Sequence, residues 1–99
     1  MAQPIYKVWF AKSKDPWYTL TTEEQNKLMA KSVESLKQVG AESITVCDAV
    51  WASEEWMRWG VEKYPDIEAV QKHADNLFNM NWFEYVESKI HLGTELTLQ

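Results

Sequence analysis

Hydrophobic and polar positions along this chain switch between a spacing of two and a spacing of three to four. Ile5 to Lys12 reads Ile-Tyr-Lys-Val-Trp-Phe-Ala-Lys and predicts a strand. Its alternate faces are Ile5, Lys7, Trp9, Ala11 and Tyr6, Val8, Phe10, Lys12, both mostly apolar. A loop follows from Ser13 to Thr21, with Asp15-Pro16 as its turn signal. Thr21-Thr22-Glu23-Glu24 has the spacing of a capping box, and a helix is expected from there to about Val39. Leu28, Met29, Val33, Leu36 and Val39 recur on one face of it, and Gly40 is the expected stop. Glu42 to Ala52 predicts a second strand, and Glu55 to Tyr64 a third. The third puts Trp56, Arg58, Gly60 and Glu62 on one face, Met57, Trp59, Val61 and Lys63 on the other. Asp66 after Pro65 is a good N-cap for a second helix with Ile67, Val70, Ala74, Leu77 and Phe78 on one side. Asn79-Met80-Asn81 interrupts it, Trp82 to Val86 reads as a short helix or turn, and Lys89 to Leu98 closes the chain as a strand. Ile90, Leu92, Leu96 and Leu98 form the apolar face of that strand.

The order is β-α-β-β-α-β in 99 residues, so one domain spanning 1–99 is expected. It belongs to the α+β class, as a ferredoxin-like split βαβ unit: a four-stranded antiparallel sheet with two helices on one face. Two helices cover only one face, yet the first and third strands carry aromatics on both. Packing two bare faces together relieves that conflict, which predicts a homodimer through the sheet.

Composition narrows the partners. The net charge is −5 with no Lys/Arg cluster, so nucleic acid is excluded as an expected partner. No stretch approaches the ~18 apolar residues of a spanning helix, and no signal-peptide pattern precedes the first strand. A single cysteine, Cys47, excludes an internal disulfide and suits a reducing compartment. The expectation is a cytoplasmic protein without a membrane partner. Six Trp in 99 residues is a large supply of flat apolar surface, used for packing, for an interface or for a ligand.

Asp15-Pro16-Trp17-Tyr18-Thr19-Leu20-Thr21-Thr22-Glu23-Glu24 and Asn81-Trp82-Phe83-Glu84-Tyr85, taken with the element order, resemble the dimeric α+β barrel superfamily. That group includes antibiotic-biosynthesis-type monooxygenases and small polyketide cyclases. The resemblance implies a homodimer, a pocket between sheet and helices in each subunit, and chemistry by His, Tyr, Trp or Asn side chains without metal or flavin.

Against that background His73 is the first candidate for catalysis. It lies one turn from Ala69 and Leu77, at the flank of the second helix's apolar stripe. An imidazole there either reaches a pocket and moves a proton or makes a local hydrogen bond. In the small polyketide cyclases a helix-borne His works with a Tyr, and Tyr6, Tyr18 and Tyr85 are the phenols on hand, each otherwise a packing residue. Asp48 and Arg58 fall on neighbouring strands of a hairpin. They read either as a cross-strand ion pair or as a base and an anion binder. Trp9, Trp17, Tyr18, Trp51, Trp82 and Phe83, with Arg58, are the expected substrate contacts. No metal site is expected, since His73 and His91 are the only histidines and lack Cys partners at ligand spacing. No cofactor is expected either, and the glycines form no phosphate loop. The functional expectation is a cofactor-independent enzyme acting on a flat apolar, aromatic or polyketide-like small molecule. Cyclisation, isomerisation or oxygenation by acid–base catalysis in a sheet–helix pocket would be its chemistry. The alternative is a non-catalytic dimeric ligand-binding or accessory protein of a biosynthetic pathway.

Overall fold

Each helix begins where a side chain can satisfy its first free N–H groups. In the computed structural model, which describes residues 3–97, Thr21 accepts from the Glu24 N–H at 3.1 Å. The Glu24 carboxylate accepts from the Thr21 N–H at 2.8 Å in return. This box opens α1 (Thr22–Gln38), and Gly40 closes it at φ +76°, a left-handed conformation that favours glycine. Asp66 accepts from the Ala69 N–H at 2.8 Å and starts α2 (Ile67–Asn79). A single turn, α3 (Trp82–Tyr85), follows Asn81, whose φ of +61° lets the chain reverse.

The strands are β1 (Ile5–Ser13), β2 (Glu42–Asp48), β3 (Arg58–Tyr64) and β4 (Val86–Gly93), and Asp15–Thr19 is a short 3-10 helix. They form one antiparallel sheet in the order β2-β3-β1-β4, the ferredoxin-like α+β arrangement. No helix among the described residues is long and apolar enough to cross a membrane.

Three boundaries differ from the sequence expectation. β2 stops at Asp48 rather than Ala52, and a bulge between Ser43 and Thr45 shifts its alternation. β3 starts at Arg58 rather than Glu55. Ser53 Oγ accepts from the Glu55 and Trp56 N–H groups and holds that segment as a turn. Trp56 therefore leaves the face expected for it and packs against Phe10, with ring centroids 6.0 Å apart. β4 runs from Val86 to Gly93 rather than from Lys89 to Leu98, because the chain rejoins β1 directly after α3. Leu98 lies outside the described residues.

Both helices pack on the face of Ile5, Lys7, Trp9 and Ala11 from β1 and of Gly60, Glu62 and Tyr64 from β3. The innermost cluster is Tyr64, Ala69 and Val70, joined by Ile5, Leu36, Val39 and Ala41. The apolar stripe of α2 is rotated from its expected line: Ala69, Val70, His73 and Leu77 are buried, while Ala74 and Phe78 face out. Trp9 lies flat across Gly60. A Cβ at Gly60 would sit 2.6 Å from the indole and 2.7 Å from the Thr45 carbonyl. Gly60→Ala is therefore expected to destabilise the fold by about 1–3 kcal/mol, the usual penalty for overpacking. Urea unfolding monitored by Trp fluorescence measures it.

Candidate functional site

Charged side chains on an apolar strand face need partners, and here the register supplies them. Lys7 and Glu62 are direct cross-strand neighbours on β1 and β3. Their side chains are 9% exposed each and form an ion pair at 3.2 Å. The Tyr64 hydroxyl donates to Glu62 Oε1 at 2.5 Å, and Lys7 Nζ lies 5.2 Å from the Tyr64 ring centroid. Burial and the neighbouring Glu62 carboxylate hold the Tyr64 phenol far above its ordinary pKa, so it stays a donor.

His73 faces this cluster from α2, 6.1 Å between its ring centroid and that of Tyr64. It is only 3% exposed and sits within the buried stripe rather than at its flank. Nδ1 is 2.8 Å from Ser35 Oγ on α1, and Asn76 Nδ2 donates to the same oxygen at 2.9 Å. Burial, then the Lys7 ammonium, lowers the His73 pKa to about 4, against an opposing pull from Glu62. The ring is neutral at pH 7. Lys7, Glu62, Ser35 and Asn76 were not among the sequence candidates. The one signal that could have found the first two was an opposite-charge pair on strand faces that are otherwise apolar.

Among the described residues, clefts open on both sides of the sheet. The larger, about 480 Å³, lies at the end of the uncovered sheet face between β1 and β4. Val8, Leu92 and Gly93 give it an apolar wall, and Tyr6, His91 and Glu95 bring polar atoms. Tyr6 donates to Glu95 Oε1 at 3.4 Å, and His91 stands edge-on to Phe10 at 6.3 Å. The second, about 350 Å³, lies between α1 and α2 and is lined by Ser35 and Asn76 together with polar side chains of both helices.

The sequence candidates are dispersed among these places. Tyr6 lines the larger cleft. His73 lines neither, although its hydrogen-bond partner Ser35, and the Asn76 that donates to Ser35, line the second. Asp48 and Arg58 are cross-strand neighbours as expected, but no ion pair joins them. Asp48 is exposed at the strand end and accepts from the Val50 N–H at 3.1 Å. Trp51 is 83% exposed in the β2–β3 turn. The 3-10 helix that carries Trp17 and Tyr18 adjoins α3, which carries Trp82, Phe83 and Tyr85, and Lys14 binds the Phe83 and Tyr85 carbonyls there. Trp9 is spent on Gly60, and its Nε1 is the one buried side-chain polar atom without a hydrogen-bond partner among the described residues. No group of three His, Cys, Asp or Glu side chains there is placed to hold a metal ion.

No family model matches the chain, and no curated protein gives a significant match. Solved structures do. A chlorite dismutase from Candidatus Nitrospira defluvii superposes with a TM-score of 0.78 at 9% identity, over 99% of this chain and 42% of that one. A protein from Thermus thermophilus described as haem-binding gives 0.73 at 19% identity, over 97% and 41%. A protein of unknown function from Rhodopseudomonas palustris gives 0.64 at 14%, over 99% and 86%. The chain thus spans less than half the length of the first two, and at these identities the likeness is one of fold.

Two outcomes test this buried cluster. Lys7→Met strands the Glu62 carboxylate and is expected to cost about 3–5 kcal/mol, while Lys7→Met with Glu62→Leu recovers most of it. Chemical denaturation of the three proteins decides. For His73 the folded pKa is depressed below the unfolded 6.5, so the unfolded chain takes the proton first. Stability is therefore lost as pH falls from about 6.5 towards about 4, by roughly 3 kcal/mol for a shift of that size. His73→Gln should flatten that dependence between pH 7.5 and 4.5.

Proposed function

We propose that this protein is a small-molecule-binding homodimer of the dimeric α+β barrel type that works on a flat apolar ligand by proton transfer, without a cofactor. The observation that carries the reading is the uncovered sheet face. Tyr6, Val8 and Phe10 of β1 and Trp59 and Val61 of β3 line it in register, with Trp56 laid on Phe10. The cleft at its end holds Tyr6, His91 and Glu95, three groups able to donate or accept a proton. That grouping favours an acid–base enzyme over a passive carrier. It also moves the ligand from the sheet–helix side, where Tyr64, His73, Lys7 and Glu62 fill the space, to the opposite face.

The second copy is argued from surface. The chain exposes 7029 Å², against about 5,800 Å² for a compact monomer of its mass. Its radius of gyration is 14.3 Å, against about 13 Å. A standard interface buries roughly 800 Å² on each partner, about two-thirds of this excess of about 1,200 Å². A second sheet laid on Phe10, Trp59 and Val61 would cover it and leave the Tyr6–Gly93 row at the rim as the mouth of the cleft.

The haem named for one structural neighbour does not fit beside His73. That imidazole is hydrogen-bonded through Nδ1 to Ser35, packs on Tyr64, is 3% exposed and lines neither cleft described above. No step is assigned to it.

Sedimentation at micromolar concentration should give twice 11.6 kDa, and Trp59→Glu should give monomer or unfolded chain. Calorimetry with 1-naphthol tests the ligand. A Cβ at Gly93 meets nothing within 4 Å, so Gly93→Leu is expected to fill the cleft and weaken binding at least tenfold without lowering Tm. No heat of binding to the native protein, or equal binding to the variant, removes the site.

A further inference from the structure

Ser35 is a nucleophile that the proposed function leaves unused, and its surroundings are those of a reactive hydroxyl. An amide nitrogen can only donate, so Ser35 Oγ accepts from Asn76 and its single proton is free to point at His73 Nδ1, 2.8 Å away. Nucleophile and base within hydrogen-bond reach, with the base held by a further contact, is the signature of an activated serine. Here the imidazole is held against Tyr64, and burial and the Lys7 ammonium keep it neutral against a smaller opposing pull from Glu62. The hydroxyl is buried from bulk water yet lines the cleft between α1 and α2. Lys31, Gln38 and Asn79 line that cleft, with one carboxylate, Glu34, among them. The ammonium and the two amides are donors for an oxygen that becomes negative.

We infer that Ser35 and His73 form an acyl-transfer site whose substrate is a small ester or thioester held in the cleft between α1 and α2. Ser35 Oγ bonds to the acyl carbon while His73 Nδ1 takes its proton, and the carbonyl oxygen becomes the oxyanion facing the amide and ammonium donors. Collapse breaks the bond to the alcohol or thiol, which leaves with the proton from His73. Water, deprotonated by the same imidazole, then releases the acid and restores Ser35. No oxidant, reductant or metal enters this balance. Because the ring stays neutral well below pH 7, it is in the accepting form across the physiological range.

The probe is phenylmethylsulfonyl fluoride, with 4-nitrophenyl acetate as substrate. Peptide mapping of the native protein should place one sulfonyl group per chain on Ser35, in preference to the exposed serines. Ester hydrolysis should vanish in Ser35→Ala and fall at least 100-fold in His73→Gln. Asn76→Ala should lower it about tenfold while leaving labelling confined to Ser35. Circular dichroism identifies any variant that has lost its fold, and the mapping on native protein stands without the variants. Labelling scattered over surface serines with Ser35 unmodified overturns the site. So does labelling of Ser35 at a rate His73→Gln leaves unchanged. Loss of naphthol binding in Gly93→Leu, with hydrolysis intact, would keep this site separate from the sheet-face cleft.

Discussion

The ion pair between Lys7 and Glu62 is the constraint on which the rest of this small domain depends. Two charges taken out of water on the face that the helices cover are costly unless they meet. They meet only when β1 and β3 pair in one register, with Lys7 opposite Glu62. A slip of one residue would set Lys7 opposite Lys63, put Glu62 on the other face of the sheet and leave a buried charge without its partner. Tyr64 adds a hydrogen bond to the same carboxylate and closes the core with its ring. The pair thus ties the register of the two central strands to the face that the helices cover.

Consequences run outward from there. With a tyrosine, a histidine and an ion pair filling the space between the sheet and α2, no room is left for a substrate in that layer. Steric closure of Trp9 on Gly60 seals the next layer of the sheet. What remains open is the opposite surface, where the aromatics of the two central strands stand side by side, and the seam between the helices, where Ser35 and Asn76 carry the buried network to solvent.

Much of the fold was legible because local rules and the wider pattern agree. The capping box at Thr21 and Glu24, the glycine stop at Gly40 and the Asp66 N-cap all lie where the spacing put them. Misreadings cluster where local alternation gives way to a turn or bulge: Trp56 changes face because Ser53 captures two N–H groups ahead of β3. The site was far less legible. Asp48, Trp51 and the α3 aromatics carry the right chemistry but lie apart, since distance along the chain says nothing of which loops converge. Lys7, Ser35 and Asn76 look like ordinary surface residues until strand pairing and helix packing bring them inward.

By itself the sequence determined the kinds and order of the elements, because caps, stops and hydrophobic period act over a few residues. It also determined that the strands have two apolar faces, because alternation records both. Which face the helices would cover, that His73 would sit buried against Tyr64 and Ser35, and which polar groups would share a cleft were decided only by tertiary structure. Those outcomes depend on contacts between residues far apart in the chain, whose worth is set by mutual burial and partner geometry rather than by any local preference.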